Sequence, residues 1–184
     1  MSLEPSLIEH CSPTLARLKV GSLFSFPSPC WETLFEEASR LNTLLNEKGL
    51  CLRIVRADEK RALCYLYRVD ELANTLNRLD EAAFLKECGY ESLCLCDALD
   101  TLCERMSCSG DFPHEVGVFL GYPLSDVLAF IEHKGQNCVC CGYWKAYGDA
   151  HKAKCLFERY AKCTRVYRRL YHAGRTLNQL TVPS

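Results

Sequence analysis

The sequence predicts an α+β fold, in which a small sheet is covered by helices and a long helix lies near the C-terminal end. Segments 51–56 and 62–68 are the clearest strands, because both are rich in apolar and aromatic residues and a polar loop separates them. A further strand is expected near 138–146. Elsewhere apolar residues recur every three or four positions, which is typical of amphipathic helices.

The N-terminal part is expected to combine short and long elements. One or two helical turns are predicted within 5–20, with Ser12-Pro13 as a helix cap, and a short strand over 23–26. A long helix follows Ser28-Pro29, since apolar residues then repeat on one helical face. Gly49 ends this helix, because glycine adopts positive φ easily.

Short helices are expected in the middle of the chain. Two are predicted over 70–79 and 81–88. One more follows Asp111 as its cap, and the next begins at Pro123. The last long helix runs from about residue 149 to about residue 172, as judged by its helical periodicity.

The last long helix is followed by Gly174 and by Thr176, which is expected to cap a final turn. Its outer faces are basic, and Glu158 is the one acid among them. A solvated surface explains such faces, but phosphate, nucleic acid or an acidic protein such as a flavodoxin would also bind them. The basic residues are Lys152, Lys154, Arg159, Lys162, Arg165, Arg168 and Arg169.

The length of 184 residues predicts one domain over 1–184, with room for a helical subdomain from about residue 93. The formal net charge of −1 predicts no overall attraction to nucleic acid or to anionic membranes. No apolar run is long enough to span a bilayer. The N-terminal segment carries Glu4 and Glu9 and no basic stretch, unlike a secretory signal, so a cytoplasmic location is expected.

The 14 cysteines are the unusual feature of the composition. Without an export signal, most are expected to be reduced and to act as small apolar side chains in the core. On a strand, Cys138 and Cys140 would point to the same side and, with His114, would suit a soft metal ion. No second ligand pair follows at zinc-finger spacing, so a buried strand rich in cysteine is the competing interpretation.

His114 and Glu115 stand at the start of a predicted short helix. The helix dipole explains Glu115, whereas an imidazole that titrates near neutral pH can serve as acid, base or ligand. Cys140 or Cys141 is a candidate reactive thiol, with Lys145 or His114 as the activating cation. Cys11 is a second candidate, because it lies beside a histidine and ahead of a predicted helix N-terminus.

The aromatic residues at 122 and 143–147 suit the walls of a ligand pocket, but they would also fill a core. The spacing of Gly117, Gly121 and Val127 is that of a helix-turn-helix. However, the second helix lacks the arginine, lysine, asparagine and glutamine side chains that read base edges. A helical corner is therefore expected here, and nucleic acid is not the expected partner.

Several stretches carry a family resemblance, namely 10–16, 112–123 with its run PHEVGVFLGYP, 141–145 with its run CGYWK, and 168–180. Over nearly its whole length the chain resembles an uncharacterised bacterial family, DUF3793, found mainly in anaerobic Firmicutes. The resemblance implies no established activity, cofactor or catalytic residue. The occurrence of genes of this family near flavodoxin-like or iron-related genes would fit a redox or metal-handling role.

The sequence thus predicts a thiol-bearing pocket that handles a small ligand, a metal or electrons, with an unknown cofactor. One alternative is a cysteine-nucleophile enzyme for acyl transfer or hydrolysis. Another is a non-enzymatic module that binds an acidic protein or nucleic acid through the basic helix. The candidate catalytic residues are His114, Cys141 and Cys11, and the candidate ligand contacts are His10, Glu115, Tyr122, Tyr143, Trp144 and Lys145.

Overall fold

The computed structural model describes residues 2–27, 30–107 and 112–184. Its central sheet consists of β1 (Gly21–Pro27), β2 (Leu50–Ala57) and β3 (Arg61–Arg68), all antiparallel, with β3 in the middle. β2 and β3 are the predicted hairpin, and β1 pairs along the other edge of β3.

Helices cover both faces of this sheet, so the fold is α+β, as the sequence predicts. None of the described helices combines the length and apolar character needed to cross a membrane. The helices are α1 (Leu3–Leu15), α2 (Trp31–Asn46), α3 (Val69–Leu76), α4 (Leu79–Glu87), α5 (Leu95–Ser107), α6 (Val116–Phe119), α7 (Leu124–Glu132), α8 (Ala150–His172) and α9 (Leu177–Leu180).

Alternate residues of β3 take part in two different cores. Cys64 and Leu66 pack with side chains of α1, α2 and α9. Tyr65 and Tyr67 face the other way and pack with side chains of α3, α5 and α6. A central strand with both faces buried has no polar side to show, which is why residues 62–68 read as a nearly continuous apolar run.

The first helix is longer than the sequence predicted. α1 runs without interruption from Leu3 to Leu15, and Pro13 lies in its last turn instead of its first. Leu7 and Cys11 are among the fully buried residues on its inner face. Burial of this face outweighs the one hydrogen bond that a proline removes so close to the helix end.

The segment predicted as a strand near 138–146 does not join the central sheet. It folds back on itself as a hairpin of β4 (Cys140–Cys141) and β5 (Lys145–Ala146), which together form a separate two-stranded sheet. Its extended character is readable in the sequence. Its pairing partner is not, because hydrogen bonding between strands depends on which segments meet in space.

Backbone geometry confirms several predicted helix ends. Gly49 has φ +74° at the end of α2. Thr176 and Gln179 form a reciprocal capping box at the start of α9. The predicted caps at Ser28-Pro29 and at Asp111 lie outside the described residues.

Two hydrogen bonds from buried tyrosines fix the elements that carry the functional residues. The Tyr65 hydroxyl on β3 donates to the carbonyl of Phe119, the last residue of α6. The Tyr160 hydroxyl on α8 donates to the carbonyl of Leu18 at 3.2 Å. α8 also packs along α1. The corner between α6 and α7 therefore has a fixed position relative to the sheet, and so does α8 relative to α1.

Candidate functional site

A cavity of about 380 Å³ lies between α6, α7 and the β4–β5 hairpin. Pockets for small ligands have volumes of about 300 to 1,000 Å³, and their walls are mostly apolar with a few polar groups. This cavity has the same character. Its apolar walls are Phe112, Val116, Tyr122, Val127, Phe130 and Trp144, and its polar lining residues are His114, Asp126, Cys141 and Lys145.

Five of the residues that the sequence nominates border this one space. They come from three parts of the chain: the start of α6, the turn before α7, and the β4–β5 hairpin. The structure therefore brings together His114, Tyr122, Cys141, Trp144 and Lys145.

The buried carboxylate of Asp126 holds the hairpin against α7. Its Oδ2 accepts a hydrogen bond from Trp144 Nε1 at 2.8 Å. Its Oδ1 accepts from the backbone N–H groups of Tyr147 at 2.9 Å and Gly148 at 3.2 Å. Three donors satisfy a carboxylate that is only 7% exposed. The indole that forms one wall of the cavity is thereby fixed at its nitrogen.

Tyr122 and Trp144 form a continuous aromatic wall. Their rings stack with centroids 4.9 Å apart, and Trp144 meets Phe157 of α8 edge-on at 4.6 Å. The Tyr122 hydroxyl donates to the carbonyl of Tyr143 at 3.0 Å. Burial raises the pKa of Tyr122 to about 12, so this donor keeps its proton at neutral pH. Packed rings with satisfied polar tips make a wall that exists before any ligand arrives.

Two glycines permit the close packing around the cavity. A Cβ on Gly117 would lie 2.7 Å from a methyl group of Val127. A Cβ on Gly142 would lie 2.3 Å from the ring of Phe157. Gly117 thus lets α6 and α7 meet at a tight corner, in agreement with the predicted helical corner, and Gly142 lets the hairpin tip lie on α8.

His114, Cys141 and Lys145 are the polar groups at the cavity that remain available. Cys141 and Lys145 lie opposite each other in the hairpin, so their side chains share one face. Lys145 Nζ donates to the carbonyl of Gly135 at 2.7 Å and lies 5.8 Å from the centroid of the Phe130 ring. No carboxylate pairs with Lys145 in the described part of the chain. The His114 ring meets Phe130 edge-on at 5.1 Å.

His10 and Cys11 do not border the cavity, which corrects the expectation that they join it. Cys11 is 0% exposed, and burial raises the pKa of its thiol, so it is an unreactive core residue. His10 stacks on Phe24 at 5.6 Å and borders a different groove together with Tyr143. Because α1 is one continuous helix, its buried face takes Cys11, and His10 points outward.

Glu115, which the sequence nominates as a ligand contact, is tied to the core and does not border the cavity. Its carboxylate forms an ion pair with Arg105 of α5 and accepts a hydrogen bond from the Tyr90 hydroxyl at 3.4 Å. Glu115 is 4% exposed, and a carboxylate at such a position needs partners of this kind. It joins α5 to the start of α6 and so supports His114 from behind.

Cys138 and Cys140 are half-buried and do not border the cavity. Within residues 2–27, 30–107 and 112–184, no three histidine, cysteine, aspartate or glutamate side chains are grouped so that they could hold a metal ion. The predicted set of these two cysteines with His114 is therefore not assembled in this structure.

Fewer cysteines lie in the core than the sequence predicted. No disulfide forms within the described part of the chain. Among its cysteines, Cys11 and Cys64 are buried, and burial raises the pKa of both thiols. The exposed ones include Cys94, Cys96, Cys141 and Cys155.

Lys19 lies buried behind the aromatic wall. Its Nζ donates to the carbonyl of Gly21 and lies 5.2 Å from the centroid of the Tyr122 ring. Burial lowers the pKa of Lys19 to about 8, while nearby Cys11 acts in the opposite direction. Below that pH the folded protein carries a buried ammonium at a cost in stability.

We expect the Lys19→Met variant to remove a pH dependence of stability. Between pH 8 and about pH 10.4, the usual pKa of lysine, the unfolded chain binds more protons than the folded one. The contribution of Lys19 to the free energy of unfolding should therefore rise by about 2 kcal/mol up to about pH 10. Urea denaturation of both proteins at several pH values measures this effect, as the free energy of unfolding of the wild type minus that of the variant.

The subtraction matters because other groups titrate in the same range. Burial raises the pKa of Tyr65, so its titration lowers stability as pH rises, in both proteins alike. A difference between wild type and Lys19→Met that stays constant with pH would contradict the assignment of a lowered pKa to Lys19.

Residues Asp126, Val127 and Phe130 belong to the site although the sequence did not nominate them for it. Leu128 and Ile131 are apolar residues of the same helix, but they are 45% and 39% exposed. The available signal was one acid in the first turn of an otherwise apolar helix. That position satisfies the helix dipole by itself, so the signal does not single out a structural carboxylate.

Comparison with known proteins places the chain in a family. No curated protein matches it, and no solved structure matches it. A family model described as a protein of unknown function, DUF3793, matches residues 7–181. This match extends from α1 to α9 and includes every residue of the cavity. The chain therefore belongs to the DUF3793 family.

Proposed function

We propose that this protein binds a small, flat, largely apolar ligand with a negatively charged group, in the cavity between α6, α7 and the β4–β5 hairpin. The observation that supports this most directly is a preformed aromatic wall facing a lysine that has no acidic partner in the described residues. Apolar walls bury the body of such a ligand, and the lysine determines its orientation.

The aromatic residues favour a flat ligand. Trp144 is stacked on Tyr122 and pinned by Asp126, so its ring cannot turn away without losing a hydrogen bond. Phe112 and Phe130 border the same space. Rings held in fixed orientations contact a flat molecule over a large area at little cost in conformational entropy.

The charge at the cavity favours an anionic group. The carboxylate of Asp126 already accepts three hydrogen bonds, so both of its oxygens are occupied by donors of the protein itself. The ammonium of Lys145 donates one hydrogen bond to Gly135 and has two further protons for a ligand. An oxyanion on the ligand would satisfy them.

Cys141 and His114 give the cavity a second candidate function, that of a cysteine-nucleophile enzyme. Both side chains border the cavity, as such chemistry requires. No hydrogen bond links them in the described part of the chain, and the His114 ring instead packs on Phe130. The geometry therefore favours ligand binding as the first function. Alkylation of Cys141 by iodoacetamide much faster than that of exposed Cys155 would favour the enzyme.

Adding a bulky side chain to the cavity lining should greatly weaken binding. The chain has 2 tryptophans, so a Trp31→Phe background leaves Trp144 as the sole indole reporter. We expect the anionic dye anilinonaphthalene sulfonate to bind one-to-one and to quench Trp144 emission. The Cys141→Phe variant, which adds a ring at an exposed residue of the cavity lining, should lower the affinity by about a hundredfold or more.

The matched control is Cys155→Phe, which makes the same change at an exposed cysteine of α8 that does not border the cavity. It should bind the dye like the background protein. Lys145→Met should weaken binding of the anionic dye, while Lys134→Met should not. Equal dye binding by the Cys141→Phe and Cys155→Phe variants would rule out the cavity as the binding site.

A further inference from the structure

A second groove, of about 330 Å³, opens between α1, α8 and the tip of the β4–β5 hairpin. None of its lining residues borders the cavity described above, so it is a separate site. Three elements contribute side chains to it. The polar and aromatic lining residues are Glu9 and His10 from α1, Tyr143 from the hairpin, and Thr164, Arg165 and Arg168 from α8.

Most polar groups in this groove are hydrogen-bond donors. Arg168 pairs with Glu9 through one terminal nitrogen, which orients its guanidinium and leaves further N–H groups unused. Arg165, one turn earlier on α8, is exposed and has no ion-pair or hydrogen-bond partner in the described part of the chain. The Tyr143 hydroxyl likewise has no partner among the described residues.

His10 is held in place beside these donors. Its ring stacks on Phe24 at 5.6 Å, so it has a defined position at the groove. Burial lowers the pKa of His10, which leaves its imidazole neutral near pH 7 with one N–H to donate. With Arg165 and Arg168 against the single acid Glu9, the groove has a net positive charge.

We propose that this groove binds the phosphate group of a small molecule, with Arg165 and Arg168 as a clamp and with the Tyr143 hydroxyl and His10 as further donors. Two guanidinium groups, a hydroxyl and an imidazole supply more donors than the two oxygens of a carboxylate can use. A phosphate has three terminal oxygens and a charge near −2, which matches this set.

The groove suits a small ligand better than an acidic protein. A protein partner would contact the protruding basic residues of α8, such as Lys152, Lys162 and Arg169, which do not border the groove. The donors proposed for phosphate instead converge from three elements on a concave space of about 330 Å³. Convergent donors in a concavity are typical of sites for small ligands.

The test uses inorganic phosphate and phenyl phosphate, titrated at constant ionic strength into the full chain labelled for NMR at arginine Nε. We expect saturable shifts of the Arg165 and Arg168 signals. Arg165→Met should lower the affinity by about tenfold, because a charge-assisted contact is lost. Arg159→Met, the same charge change on the same helix outside the groove, should alter the affinity by less than about twofold.

Two results would overturn the proposal. Equal losses of affinity in Arg165→Met and Arg159→Met would mean diffuse attraction to the basic helix. Binding of a polyglutamate peptide that depends on Lys152 and Lys162 as much as on Arg165, without saturable phosphate binding, would mean a docking surface for an acidic protein. Arg165→Met and Arg159→Met both change exposed residues, and urea midpoints equal to that of the wild type would show that the two variants fold. The cavity is tested separately, with the dye, so either proposal can fail alone.

Discussion

Replacing Asp126 with alanine should destabilise the protein by about 3 kcal/mol and abolish ligand binding in the cavity. The variant leaves the N–H groups of Trp144, Tyr147 and Gly148 without their acceptor. Because this carboxylate holds the hairpin on α7, its loss in the variant should allow the Trp144 ring to move into water. Urea denaturation measures the first effect, and a red shift of Trp144 emission in the Trp31→Phe background measures the second.

A matched control is Asp70→Ala, which removes an exposed acid from the first turn of α3. It should cost less than about 1 kcal/mol, the usual value for a helix-dipole interaction at the surface. Asp126→Asn, which keeps one acceptor oxygen, should fall between the two variants. If Asp126→Ala were as stable as Asp70→Ala, the hairpin would not depend on this carboxylate.

Arg68→Met should produce a stability loss of similar or larger size, about 4 kcal/mol. The Arg68 guanidinium is 0% exposed. It donates to the carbonyls of Thr14 at 2.8 Å, Leu15 at 2.9 Å and Val182 at 2.7 Å. Arg68 is the last residue of β3, and through these hydrogen bonds it connects the end of α1 with the C-terminal segment. Urea denaturation, together with hydrogen exchange at the Val182 N–H, measures the loss.

Arg56→Met is the control for Arg68→Met, since it removes the same charge from an exposed position on β2. It should change stability by less than about 0.5 kcal/mol. Arg68→Lys should not rescue the protein, because an ammonium lacks the planar fork that reaches three carbonyls. Unchanged exchange of the Val182 N–H in Arg68→Met would contradict the proposed link between the end of α1 and the C-terminal segment.

The helices and the first hairpin were predictable because local patterns encode them. The 62–68 run, the stop at Gly49 and the cap at Thr176 each depend on a few neighbouring residues. Prediction failed where a local sequence signal was compatible with two structures. Pro13 fits a first turn or a last one, and the buried face of α1 decided for the last.

The sequence predicted which residues line the candidate site better than it predicted the contacts that hold them in place. The aromatic rings, the imidazole, the thiols and the lysine in 112–147 are an unusual combination, and five of the residues that the sequence nominates there border one cavity. The role of Asp126 was not predictable, because its partners lie about twenty residues away and include two backbone N–H groups that no sequence pattern marks. The same holds for the groove of Arg165 and Arg168, which needs α1 beside α8.

The sequence by itself determined the fold class, the helix boundaries set by caps and glycines, and the stretch that carries the unusual side chains. These follow from periodicity and from backbone preferences, which act between near neighbours. Tertiary structure alone decided that Cys11 is buried and Cys141 exposed, that Glu115 belongs to the core, and that Trp144 is held by α7. Burial and hydrogen bonding join residues distant in the chain, and these contacts exist only once the helices have packed on the sheet.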